Sequence, residues 1–292
     1  MSDFGSVSSG AGYFDSFKNN QTINGTKEFL ESNSLVAKFA FLLLVLIVFI
    51  IAVRLGGMLL AWIFSFNGSP YIFNGMIDAK QMMVIPQDPN LNNSIPILRS
   101  DNQTDGIEFT YSVWLFVDNM TYKEGEFKHV FHKGNADINT KNKPIGMNFP
   151  NNAPGLYLSP DTNGLVVVMN TFNDIEEKLT IENLPMNMWV CVQIVVENNQ
   201  LDVYINGKLA KRLIMKGVPK QNYGDLYVAM NGGFSGYMSN LRYYDYSLGT
   251  AAIQDIVNDG PNLKMTGSNI NSVPRYLSLR WFFMGNKDGY NP

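Results

Sequence analysis

The side chains best suited by type to catalysis or metal binding are two histidines, one cysteine and a few clustered acids. His129 and His132 lie three residues apart. On a strand that spacing sends them to opposite faces, which makes them poor co-ligands for one metal. Cys191 stands alone in Trp189-Val190-Cys191-Val192-Gln193-Ile194, a strand-like run that predicts a buried, inert thiol. Hydrolysis of a glycosidic bond needs paired carboxylates on one sheet face. The nearest acidic cluster, Asp174-Ile175-Glu176-Glu177, has the wrong spacing and reads as a solvated turn. Asn231-Gly232-Gly233 lacks the Lys-Ser/Thr of a phosphate loop and precedes a strand, so it also reads as a turn. Asp161, Asn163, Asp174, Asp225 and Asp245 offer hard oxygen ligands, but no spacing among them selects a calcium site. Calcium stays a candidate, the metal site is unknown, and no other cofactor is expected. Tyr243, Tyr244 and Tyr246 are candidates for contact with a ligand. No catalytic residue is assigned, and the chain is not expected to be an enzyme.

The elements that must position these residues are mostly strands. From about residue 70, short apolar runs alternate with Asn, Gly, Asp and Pro, as in an all-β domain. In Ile107–Asp118 the inward set is Ile107, Phe109, Tyr111, Val113, Leu115 and Val117. In Met188–Val196 it is Val190, Val192, Ile194 and Val196, and in Leu201–Ile205 it is Leu201, Val203 and Ile205. Asn206-Gly207 supplies the two positive φ angles of a tight hairpin turn into Lys208–Met215. Further strands are expected at 129–133, 155–158, 165–170, 226–230 and 236–244, with a short helix at 250–257. The chain has 292 residues, and this region fits one antiparallel sandwich over residues 70–292.

Ahead of it, residues 39–53 are fifteen apolar residues in a row. Lys38 and Arg54 flank them, about 24 Å apart on a helix, and can snorkel to the two edges of a bilayer roughly 30 Å thick. Placing Arg54 mid-membrane would cost about 2.5–3.5 kcal/mol, so it belongs at the membrane edge. A retained, single-pass transmembrane helix over 35–66 is expected, with Trp62 and Phe64 in an interfacial continuation after the flexible Gly56-Gly57 pair. A cleaved signal would start nearer the N-terminus, and a core helix would show a polar face. Residues 1–34, rich in Gly, Ser and Asn, predict a disordered polar tail. Lys18, Lys27 and Lys38 lean toward a cytoplasmic N-terminus, whereas the lack of disulfides suits a reducing compartment for the β domain. The side of the membrane therefore stays open. Net charge is −3 and the lysines are scattered, so no nucleic-acid partner is expected.

Two segments resemble the concanavalin A-like lectin/glucanase superfamily, and within it the laminin-G-like modules. Trp189–Val192 through Leu201-Asp202-Val203-Tyr204-Ile205-Asn206-Gly207-Lys208 is similar to a Trp-opened strand, a polar turn and "Leu-x-Val-Tyr-x-Asn-Gly". Phe234–Leu248 resembles the closing Gly and Arg/Tyr strand, while Phe109–Trp114 and His132-Lys133-Gly134 resemble early strands. Ser239 and Asn240 depart from the acidic residues often found there, and residues 262–292 extend past the usual end, as an edge strand or a contact with a neighbour. The resemblance implies a jelly-roll sandwich that binds carbohydrate or protein, sometimes with calcium. Its enzymatic branch carries Glu-x-Asp-x-x-Glu, which is absent here. The expectation is a membrane-anchored, non-catalytic recognition module, with lipid bilayer and a glycan or protein as partners. The alternative is a minor capsid-type structural protein of a large DNA virus particle. It would sit in the virion membrane and link it to a shell or coat protein.

Overall fold

The computed structural model describes residues 35–63, 68–91, 93–100, 102–103, 106–141 and 144–266. The expected polar tail, Phe64 and the C-terminal extension beyond residue 266 lie outside the described residues. The chain divides into two compact units at residues 65 and 66.

The first unit holds helix α1, Leu35–Ile63. Its 29 residues, which include an 18-residue stretch of mean hydropathy 3.1, rise about 43 Å and are long and apolar enough to cross a membrane. Lys38 and Arg54 both lie on this helix and are exposed. The helix runs through Gly56-Gly57 without a break, contrary to the expected flexible joint. A glycine costs only about 1 kcal/mol in a helix, too little to interrupt one flanked by Leu, Met and Ala.

The second unit is a sandwich of two antiparallel sheets. Its strands are β1 (Tyr71–Asp78), β2 (Met83–Ile85), β3 (Asn102–Gln103), β4 (Gly106–Asn119), β5 (Lys128–Gly134), β6 (Gly155–Leu158) and β7 (Leu165–Met169). They continue with β8 (Glu177–Ile181), β9 (Trp189–Glu197), β10 (Gln200–Ile205), β11 (Lys208–Ile214), β12 (Asp225–Val228) and β13 (Ser235–Tyr244), before helix α2 (Thr250–Asp259). One sheet runs β1-β13-β4-β9-β10-β11, with β3 paired to β4; the other runs β2-β12-β5-β6-β7-β8. Period-2 alternation builds the core between them. Phe109, Tyr111, Val113, Leu115 and Val117 of β4 and Val190, Val192, Ile194 and Val196 of β9 face Val130, Phe131, Leu156, Leu158 and Val167 from the second sheet. Each such side chain contributes about 1.5–3 kcal/mol on burial. The outer face of the seven-stranded sheet is partly covered by α2, where Val195, Tyr244, Leu248 and Ile253 form a second cluster.

The β10–β11 turn has φ 49° at Asn206 and 78° at Gly207, as its dipeptide predicts. Asn206 also clamps β9. Its Oδ1 accepts from the Cys191 N–H at 2.8 Å, and its own N–H donates to the Cys191 carbonyl at 2.9 Å. Residues 264–266 run beside β1, pairing with Met76 in parallel. That short bridge lies in the described part of the C-terminal extension, residues 262–266.

Candidate functional site

The histidines correct the strand argument. A bulge between His129 and Phe131, where β5 pairs with β6, puts two residues on the inner face in succession and returns both imidazoles to the outer one. His129 Nε2 and His132 Nδ1 are 2.6 Å apart. One tautomer set satisfies every contact. The Met230 N–H donates to His129 Nδ1 at 3.1 Å, so His129 carries its proton on Nε2 and donates to His132. His132 then donates from Nε2 to the Asn135 carbonyl, 2.8 Å away. Burial holds both rings neutral, pushing His132 down to about 4 and His129 well below its ordinary value, with its neighbour adding to the effect. All four ring nitrogens are engaged within the fold, so the pair is a cross-brace and has no free ligand atom. Among the described residues no group of three or more His, Cys, Asp or Glu side chains could hold a metal.

The acidic cluster is also structural. Glu177 opens β8 and is buried, not solvated as its neighbours suggest. Its carboxylate accepts from Thr171 Oγ1 at 2.9 Å and from the Lys216 N–H at 2.9 and 3.0 Å. Glu176 pairs with Lys178, and Asp174 with Lys216. Asp225 accepts from the Gln87 N–H, and Asp245 from Ser69 Oγ. Cys191 is buried, and burial pushes its thiol up to about 12, away from nucleophile chemistry.

The tyrosines separate. A second bulge in β13, between Ser239 and Arg242, lets both Leu241 and Tyr243 point into the core. Tyr243 is 1% exposed and packs on Tyr111 with ring centroids 5.0 Å apart. Tyr244 points outward but lies under α2, at 6% exposure, leaving Tyr246 at 44%. Tyr243 and Tyr244 are therefore buried and not on the open surface, although Tyr243 lines a cavity between the sheets. Asn240 carries the bulge with φ 50°, and its Oδ1 accepts from the Gly75 N–H. Ser239 donates to the Asn262 carbonyl. The two departures from an acidic pattern thus tie down β1 and the C-terminal extension.

What the outer face does present is a row of three other aromatics. Phe116 pairs directly with Trp189 of β9 and with Tyr237 of β13, at centroid distances of 5.7 and 6.3 Å. Phe116 and Trp189 are half-buried and Tyr237 is 39% exposed. Gly236 lets β13 approach closely, since a Cβ there would sit 1.9 Å from the Phe116 carbonyl oxygen. The rings, inclined to one another by 57° and 54°, form an aromatic row across three strands, suited to the apolar face of a sugar or to a protein side chain. The signal for it was in the alternation: if Leu115, Val117 and Val190 face inward, Phe116 and Trp189 face out.

A cavity of about 410 Å³ opens between the sheets at the other end of β4, within the usual range for small-molecule pockets. Phe109, Tyr111 and Tyr243 of the seven-stranded sheet line it, facing the loops after β2, β5, β7 and β11. Asn170 holds those loops together, its N–H donating to the Asn152 carbonyl and its own carbonyl accepting from the Lys220 N–H, both at 2.8 Å. Lys133, Lys220 and Arg99 line the cavity, with no carboxylate among its described lining residues. Lys133 is 5% exposed and donates to the Asn222 and Gly224 carbonyls at 2.9 and 2.7 Å. Burial lowers its ammonium to about 8, against an opposing pull from Asp225, while the two carbonyl acceptors solvate the protonated form. Sequence alone gives no hint of this, because a lysine is by default a solvated residue.

The concanavalin A-like lectin/glucanases superfamily, through a laminin G-type domain model, matches residues 92–254. No curated protein sequence matches the chain. Among solved structures, the receptor binding domain of botulinum neurotoxin C/D mosaic serotype is similar at 11% identity and a TM-score of 0.41, over 53% of this chain and 36% of that one. The binding domain of botulinum neurotoxin DC, solved in complex with rat synaptotagmin II, is similar at 14% identity and a TM-score of 0.39, over 52% and 36%. A botulinum neurotoxin type C structure, from a protein whose cell entry depends on interaction with two ganglioside molecules, stands at 13% and 0.37, over 52% and 36%. The chain spans about a third of the length of each.

Proposed function

Because the chain belongs to the concanavalin A-like lectin/glucanase superfamily, we propose that it is a non-catalytic recognition module, held at a membrane by α1, that binds glycan through its seven-stranded sheet. Family and fold together support a binding module. The observation that carries the ligand class is the Tyr237–Phe116–Trp189 row, a half-exposed aromatic platform on a rigid sheet. Flat rings pack against the C–H face of a pyranose, and a sheet holds them at small entropic cost. The acids Asp174, Glu176 and Glu177 are spent on loop and strand contacts, which supports recognition over hydrolysis. The length and hydropathy of α1 support a single-pass tether.

The test is a glycan panel screened with the full chain in lipid nanodiscs, with calcium and with chelator. Binding that is insensitive to chelator and lost in Trp189→Ala or Tyr237→Ala supports the proposal. Folded protein that binds no sugar but retains a protein partner through the same row would move the ligand to a protein. If that partner were a stoichiometric shell or coat protein, it would favour the structural-particle alternative, for which no observation of the fold speaks.

A further inference from the structure

We propose that the cavity between the sheets is a second binding site, separate from the aromatic row, for an organic anion with an aromatic or alicyclic body. The two walls differ in chemistry. Phe109, Tyr111 and Tyr243 form the apolar side, where burying a hydrocarbon ring is favourable in proportion to the area covered. Lys133, Lys220 and Arg99 supply the cationic side. Their placement is mutual: Lys133 holds the 222–224 loop, Lys220 belongs to that loop, and the Ser100 N–H beside Arg99 donates to Gln221 Oε1.

Lys133 is the strongest sign of an anionic ligand. Buried charges are normally paired, yet none of the ion pairs of the described residues involves this ammonium. Two of its three N–H donors go to carbonyls, which solvate the charge without cancelling it. Asp225, the carboxylate that acts on it, does so through space and is bonded to the Gln87 N–H. A bound carboxylate or sulfonate would supply the missing counter-charge beside a buried ammonium, where a charge-assisted hydrogen bond is stronger than a neutral one. A neutral ligand of the same shape would fill the apolar half and leave the cation as it is.

The probe is 2-naphthoate, titrated by calorimetry into the full chain in lipid nanodiscs with empty nanodiscs subtracted, beside its uncharged analogue 2-naphthamide. Naphthoate is expected to bind at least about tenfold more tightly than naphthamide. Lys133→Met should abolish that preference while thermal unfolding remains cooperative. Lys133 also pins a loop, so a second variant, Lys220→Met with Arg99→Gln, keeps the test open if Lys133→Met does not fold; it should weaken naphthoate several-fold and leave naphthamide binding unchanged. Equal affinity for the two probes, or no binding of either, overturns the assignment. So does undiminished naphthoate binding in a folded Lys133→Met protein. None of these outcomes depends on whether the aromatic row binds sugar.

Discussion

At the scale of single residues, position on the pleat decides role more than residue type does. Tyr243 and Tyr237 lie six residues apart on one strand, but the intervening bulge leaves one in the core and the other on the surface. Tyr243→Ala is expected to cost about 3–5 kcal/mol, as for other large aromatic truncations in a core. Tyr237→Ala should cost under about 1 kcal/mol and act on binding instead. Chemical denaturation of the two variants checks the contrast, and equal losses would contradict it. The histidine pair makes a pH prediction. The folded state holds both imidazoles below their unfolded value near 6.5, so the unfolded chain binds more protons as pH falls. Stability is therefore full above about pH 7 and is lost downward from 6.5 toward 4. From His132 alone the loss by pH 5 is about 2 kcal/mol. Urea midpoints at pH 7 and 5 measure it, and His132→Gln should flatten the slope if the variant folds.

At the scale of elements, most of the longer strands were legible, whereas β1 and the short strands β2, β3 and β8 were not. β4, β9, β10 and β11 follow from their inward Val, Ile and Leu and from the Asn206-Gly207 turn. β1 escaped notice because Asn74-Gly75 sits inside it and mimics a turn, whereas the structure absorbs it as an irregularity between Phe73 and Met76. The bulges at His129 and Asn240 were equally hidden, since each depends on long-range pairing that local sequence does not encode. They account for the meeting of the two histidines and for the burial of Tyr243, whereas Tyr244 is covered by α2. Asn206→Ala removes both a favourable left-handed residue and the acceptor for the Cys191 N–H, and is expected to destabilise by about 1–2 kcal/mol. An unchanged melting temperature would mean that the hairpin does not depend on this clamp.

At the scale of the whole molecule, sequence conveyed the plan of an apolar helix and one β-sandwich, since hydropathy and period-2 alternation are local properties. It did not convey the cavity. Lys133, Lys220 and Arg99 are scattered along the chain and meet only through the sandwich topology. The tether is testable independently: Ile47→Arg places a charge in the middle of the apolar run at a cost of about 2.5–3.5 kcal/mol. The membrane-bound fraction after alkaline extraction should fall sharply, and full retention would argue against a membrane-spanning α1. Recognition through the aromatic row is tested most directly by the glycan panel, run on the wild type and on the Trp189→Ala, Tyr237→Ala double variant in nanodiscs. Reproducible, chelator-insensitive glycan binding, weakened at least about tenfold in a variant of unchanged melting temperature, is the predicted result. Glycan binding of equal strength in the two proteins, or none in the folded wild type, would contradict it.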